Sequence, residues 1–308
     1  MGRYVLRRML QLVPVFIGAT FLIYVLVWAL PGDPFAAKCG DRPCPDAYIT
    51  AMRERFNLDD SVFVQYGKYL LGLLQGDFGE TFSGIQVSEL IANAYPVTLK
   101  LALVALVIEA VIGLTAGVVT GLRPGGYLDN LVLVSTLFLI AIPVFVTGFV
   151  LQVTLGLRWG IIDPTVSAQA DFSELIVPGF VLGSLSMAYV TRLARTSISE
   201  NRRSDYVRTA VAKGLRPRRV VGVHLLRNSA IPVITFLGVD LGALMGGAIV
   251  TEGIFNIRGI GGLVYRSILT KEGATVTGVV VLLVIVYLLM NLLVDVLYAV
   301  LDPRIRYD

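Results

Sequence analysis

The chain alternates between long stretches that lack any polar face and segments where its charge is concentrated. Residues 9–30 hold no charged side chain, 101–122 are interrupted only by Glu109, and 131–157 are uncharged but contain Pro143. Residues 175–191 carry Pro178 near their start, 228–251 carry Pro232 and Asp240, and 273–294 continue past Asp295 to 301. A membrane helix needs about 20 largely apolar residues, rising about 1.5 Å each, to cross about 30 Å of hydrocarbon. The pattern therefore predicts an all-α integral membrane protein with six transmembrane helices. Helices of a soluble core would keep polar stripes, and a β-barrel would show alternating segments of about 10 residues. Composition agrees: 56% of the 308 residues are apolar and 16% charged, where soluble domains carry about 25% charge. Arg3, Arg7 and Arg8 before the first stretch resemble the start of a signal peptide. Its uncharged length exceeds the usual 7–15-residue apolar region, so a retained helix is expected.

Lys and Arg in the loops set the orientation. Arg3, Arg7 and Arg8 precede the first span. The segment 192–227 holds Arg192, Arg195, Arg202, Arg203, Arg208, Lys213, Arg216, Arg218, Arg219 and Arg227 against only Glu200 and Asp205. Residues 31–96 reverse the balance, with five positive and nine acidic side chains. The reading is a single multi-pass domain, 1–308, with both termini and the 192–227 loop cytoplasmic and an extended first external loop, 31–96. Cys39 and Cys44, the two cysteines, lie in that external loop, either as a small disulfide or as idle thiols. With His224 the single histidine, a His- or Cys-based metal site has no support, and no metal is expected.

Within the external loop, 47–56 and 62–74 read as short amphipathic helices, the second ended by Gly76-Asp77-Phe78-Gly79. They either brace the bundle at the membrane surface or offer a docking surface. The loop 192–227 is more specific. Ser204 stands where it can cap a helix beginning at Asp205, whose charge suits the helix dipole. Tyr206, Val207, Ala210, Val211 and Gly214 share one smooth face; Arg208, Thr209 and Lys213 fall off it. Gly214 suits a C-cap and Pro217 follows shortly. Scarce bulky anchors on that face favour insertion into a protein groove over a lipid surface.

Asp205-Tyr206-Val207-Arg208-Thr209-Ala210-Val211-Ala212-Lys213-Gly214-Leu215, with Leu226-Arg227-Asn228-Ser229-Ala230-Ile231-Pro232-Val233, resembles the EAA-type coupling loop of ABC-importer permeases. Arg3-Tyr4-Val5-Leu6-Arg7-Arg8, Leu30-Pro31-Gly32-Asp33-Pro34, Gln65-Tyr66, Gly76-Asp77-Phe78-Gly79 and Leu301-Asp302-Pro303-Arg304-Ile305-Arg306 are similar to the first permease subunit of dipeptide and oligopeptide importers. The likeness covers nearly the whole chain. It departs at Val211, where many relatives are expected to carry a basic residue, and in the Cys39–Cys44 insertion.

The resemblance implies a type I ABC importer permease with a MetI-like core, in the inner (plasma) membrane. It implies a second homologous permease, two cytoplasmic ATPase subunits or domains that bind ATP and Mg, and an external solute-binding protein; no nucleic acid is implicated. Residues 205–214 would couple to the ATPases. The chain has no Gly-x-x-x-x-Gly-Lys-Ser/Thr phosphate loop and would be no enzyme itself. Short peptides are the implied cargo, although relatives also carry nickel chelates or haem. Inside the membrane, Gly113, Gly117 and Gly121, and Gly238, Gly242 and Gly246, form small-residue stripes suited to helix packing. Glu109 and Asp240 either line the translocation path or hydrogen-bond within the bundle. Asp295 suits an interfacial ion pair. The segment 251–262 is either a gate at the external mouth, through Phe255, Asn256 and Arg258, or an ordinary turn. An ion-gradient-driven secondary transporter would instead show dense intramembrane charge or clear inverted repeats.

Overall fold

In hydrocarbon every backbone N–H and C=O must be satisfied within its own segment, which favours helix wherever the chain is continuously apolar. The computed structural model describes residues 2–28, 44–245 and 248–301, with side chains for 6–28, 44–245 and 248–296. Among the described residues there is no strand, only an isolated bridge between Glu80 and Gln86. Among the described residues five helices are long and apolar enough to cross a membrane, and a bent pair supplies a sixth.

Helix α1 (Gly2–Trp28) pairs with the last helix, α13 (Gly273–Leu301), and is pinned near both ends. Arg8 Nε lies 3.3 Å from Asp295 Oδ2, and Trp28 Nε1 donates to Thr277 Oγ1 at 3.1 Å. The connector that follows α1 carries α2 (Asp46–Arg55) and α3 (Val62–Leu74). Helix α3 runs along the C-terminal half of α1, where Tyr66 donates to the Ile17 carbonyl at 3.1 Å and lies 2.8 Å from Thr20 Oγ1. Phe21 stacks on Phe63, and Tyr24 meets Tyr66 and Tyr69. The aromatic row thus plugs α3 into the bundle beside α1.

Helix α4 (Val87–Leu122) starts well before residue 101, absorbing Pro96 and what was expected to be the end of the connector. Its partner is α7 (Ile176–Asn201). The two backbones approach along a row of glycines. A Cβ on Gly113 would stand 2.7 Å from Val190 Cγ1, one on Gly117 2.5 Å from Ala194 Cβ, and one on Gly121 2.8 Å from Ile198 Cβ. Gly179 and Gly183 reciprocate against Val104 and Ala105. Small residues facing one another let the two backbones come this close.

The third apolar stretch is not one straight span. Helix α5 (Tyr127–Ala141) and helix α6 (Val144–Leu151), which continues as a π-helical turn over Gln152–Arg158, meet at 99°. Pro143 causes the break: it lacks an N–H to continue the ladder, and it pushes Ile142 into extended backbone (φ −88°, ψ 123°). Beyond α7 come α8 (Asp205–Ala212), the single turn α9 (Pro217–Arg219), a π-helical turn at Val220–Leu225 and α10 (Leu226–Met245). Two short helices, α11 (Ile249–Ile254) and α12 (Ile260–Leu269), then lead into α13.

Candidate coupling helix and the residues behind it

Helix α8 stands on a short loop after α7, held from one side. Val207 and Ala210 are buried with Ile198 of α7, Val220 and Leu225, and Val118 and Leu122 of α4 pack against the same cluster. Its C-terminus forms a Schellman motif. Gly214 takes φ +73°, its N–H bonds the Val211 carbonyl at 2.9 Å, and the Leu215 N–H bonds the Ala210 carbonyl at 3.3 Å. Leu215 joins the buried cluster, supplying the apolar contact that motif normally carries.

Two details differ from the sequence reading. Ser204 has the extended backbone of an N-cap, yet its hydroxyl donates back to the Asn201 carbonyl and caps no α8 N–H. The expected smooth face is also split. Only Val207 and Ala210 turn inward, whereas Tyr206 and Val211 are exposed with Asp205, Arg208, Thr209, Ala212, Lys213 and Gly214. Tyr206 is held by a 2.9 Å bond from its hydroxyl to Asn201 Oδ1. The Asp205–Arg208 pair, at 3.7 Å and fully in solvent, adds little. One side of α8 is therefore fastened to α4 and α7, and the other side is open.

At the far end of α4, Thr98 links to the glycine-rich segment. Its hydroxyl donates to Glu252 Oε1 at 2.8 Å and accepts the Ile260 N–H at 2.7 Å. Glu252 Oε2 accepts the Gly262 N–H at 2.8 Å. A buried carboxylate thus caps the N-terminus of α12, where free N–H groups and the helix dipole favour negative charge. The glycines make room: a Cβ on Gly259 would sit 2.4 Å from both Glu252 Oε2 and Thr98 Oγ1, and one on Gly262 would strike the Ile257 carbonyl. Sequence reading passed over Glu252, because an acid eight residues ahead of a helix shows no local spacing signal. Phe255 is buried in the core with Leu101, Val181 and Ile257, and its carbonyl accepts the Val166 N–H at 2.9 Å. Asn256, at φ +51°, and Arg258 are exposed.

Burial raises the Glu252 carboxyl above the usual carboxylate range, outweighing its hydrogen bonds, and desolvation lowers Arg266 nearby. An acid whose pKa is raised on folding stabilises the fold fully below its unfolded value, about 4.3 for glutamate. That contribution is lost as pH rises through the raised folded value. The unfolding midpoint in detergent should accordingly fall over that window, and Glu252→Gln should flatten this slope; an unchanged slope in the variant would refute the assignment.

The family described as "Binding-protein-dependent transport system inner membrane component" matches residues 113–307, and the N-terminal membrane-component family of the same transport systems matches residues 1–102. The chain belongs to this permease family. It is 34% identical to the di/tripeptide transport system permease protein DppB of Pseudomonas aeruginosa, with 99% of each chain covered. It is 35% identical to the oligopeptide transport system permease protein AppB of Bacillus subtilis, with 100% of each covered. It is also 35% identical to the glutathione transport system permease protein GsiC of Salmonella paratyphi A, with 100% of each covered.

The permease carries its other singled-out residues in varied settings. Glu109 of α4 is fully buried and Asp240 of α10 half-buried, with Ser186 Oγ of α7 donating to Asp240 Oδ1 at 2.9 Å. The second glycine stripe is uneven. Gly242 is tight against Met290 of α13, a Cβ on Gly238 would only touch Val294 at 4.0 Å, and Gly246 lies outside the described residues. Cys44 is disulfide-bonded, while Cys39 lies outside the described residues. Among the described residues no cluster of His, Cys, Asp and Glu could hold a metal ion.

Proposed function

We propose that this permease is the membrane subunit of an ATP-driven importer of short peptides, pairing with a second permease to form the translocation path. The observation that carries the reading is α8, clamped inward by Val207 and Ala210 onto α4 and α7 while its other side stays free. A helix so mounted passes a push to the bundle without having to fold first. Residues 205–214 dock a cytoplasmic ATPase subunit, which holds ATP and Mg, and both termini lie on that same side. An external binding protein delivers the peptide to the opposite face, where Glu252 holds α12 in place and Asn256 and Arg258 remain exposed. Peptide cargo is supported by the named relatives, whose names cover di/tripeptides, oligopeptides and glutathione.

The test is uptake into proteoliposomes containing the whole complex, with binding protein and labelled dipeptide outside and ATP inside. Val211→Glu adds a charge to the open side of α8 without touching its clamp. The expected result is ATP-dependent uptake in the parent, and in the variant uptake reduced about tenfold or more with the permease folded, since losing about 1.4 kcal/mol at the contact suffices. Uptake driven by an ion gradient without ATP would overturn the reading. Hydrolysis with no dipeptide entry would overturn the cargo alone.

A further inference from the structure

Two acids meet where α4 packs on α10. Glu109 lies within hydrogen-bonding reach of Asp240 across the contact between α4 and α10. Yet among the described residues no N–H or O–H donor reaches either Glu109 carboxyl oxygen or Asp240 Oδ2. Ser186 Oγ donates to Asp240 Oδ1. Apolar clusters lie to either side along the same helices: Ala102, Ala105 and Leu244 in one direction, Val190, Ala194 and Val233 in the other.

Among the described residues no cation faces the pair. On α4, Lys100 donates to the Gln169 carbonyl, and Glu89 lies farther along. On α7, Arg192 is bonded to Thr136 and Arg195 to Asp129, with Glu200 more distant. Arg227 of α10 is thirteen residues from Asp240, about 20 Å at 1.5 Å per residue. Asp295 of α13 is paired with Arg8, Tyr189 of α7 packs on Phe236, and Tyr287 of α13 is half-exposed. Two ionised carboxylates cannot hydrogen-bond each other, and like charges in such a place cannot both persist. A metal ion is a poor occupant. Hard cations take about six or more oxygens, and α4, α7 and α10 run unbroken through this level, so their backbone carbonyls are committed to the helices.

We propose that Glu109 and Asp240 form a proton-binding site, in which one proton is shared between the two carboxyls and ties α4 to α10. The wholly buried Glu109 carries the proton and donates its O–H to Asp240 Oδ2. Asp240 is the carboxylate, steadied by Ser186, and its partial exposure gives the proton its way in and out. The site is a positioning device, since separation of α4 from α10 would unmake the hydrogen bond.

Infrared spectroscopy of the whole complex reconstituted in lipid at neutral pH tests this directly. The expected spectrum contains a protonated-carboxyl C=O band that shifts on deuterium exchange. It should disappear in Glu109→Gln and in Asp240→Asn, each of which keeps a hydrogen bond between the side chains, and persist in Glu252→Gln. Isotope labelling of glutamate carboxyls in the unmutated protein should move the same band, which keeps the test open if a variant fails to assemble. Absence of the band, its survival in both variants, or its appearance only after sodium is withdrawn would overturn the proposal. The readout needs no transport, so its failure is distinct from failure of the importer reading.

Discussion

Gly117→Val is expected to leave little folded permease. Even the first added carbon would lie 2.5 Å from Ala194 Cβ and 2.7 Å from the Thr191 carbonyl oxygen, and the latter is backbone that cannot turn aside. Relief requires α4 and α7 to move apart, which also loosens the contacts at Gly113 and Gly121. Overpacking in a rigid core costs about 1–3 kcal/mol, and valine at this point belongs at or above the top of that range. The measurement is the unfolding midpoint and monodisperse yield in detergent for Gly117→Ala, Gly117→Val and the control Gly222→Ala, whose new methyl meets nothing within 4 Å. The order should be control, then alanine, then valine. An alanine variant as stable as the control would show that the seam opens freely.

Val207→Asp is expected to unfasten α8 and abolish coupled uptake while most of the bundle survives. Val207 is 5% exposed, within the cluster that includes Ile198, Ala210, Val220 and Leu225. Burying its side chain stabilises the contact by about 1.5–3 kcal/mol. An unpaired carboxylate in the same place costs several kcal/mol. The charge wins, so α8 should swing into water instead of staying docked with a buried anion. In proteoliposomes the variant should retain ATP hydrolysis by any ATPase still bound but lose uptake, with an unfolding midpoint close to the parent. Normal uptake would mean that the α8 clamp has no part in coupling.

The membrane helices were readable because hydrocarbon imposes a single rule on every span, and apolar length reports it. The 99° break was not, since hydropathy is blind to direction; Pro143 marked the place without giving the angle. The early start of α4 was hidden because Glu89, Pro96 and Lys100 look like loop residues, although a helix end outside the hydrocarbon can carry them. For α8, spacing found the helix and Gly214 found its end. Periodicity alone could not say that Tyr206 and Val211 would be left out of the contact, because that depends on where Ile198 and Leu225 arrive from elsewhere in the chain. The meeting of Glu109 with Asp240, and of Thr98 with Glu252, is likewise long-range. Glu109 and Asp240 could each be noticed alone, but the partner of every one of these residues lay beyond the reach of any local pattern.

The length of α4 has a mechanical consequence. From Thr98, bonded to Glu252, to Leu122, packed behind α8, the helix runs about 36 Å at 1.5 Å per residue, close to the thickness of the bilayer's apolar slab. Its single proline, Pro96, lies outside that stretch, so the shaft between the two contacts has no proline joint at which to fold. Such a shaft acts as a pushrod: displacement at one end arrives at the other as displacement, where a hinged helix would spend it on bending.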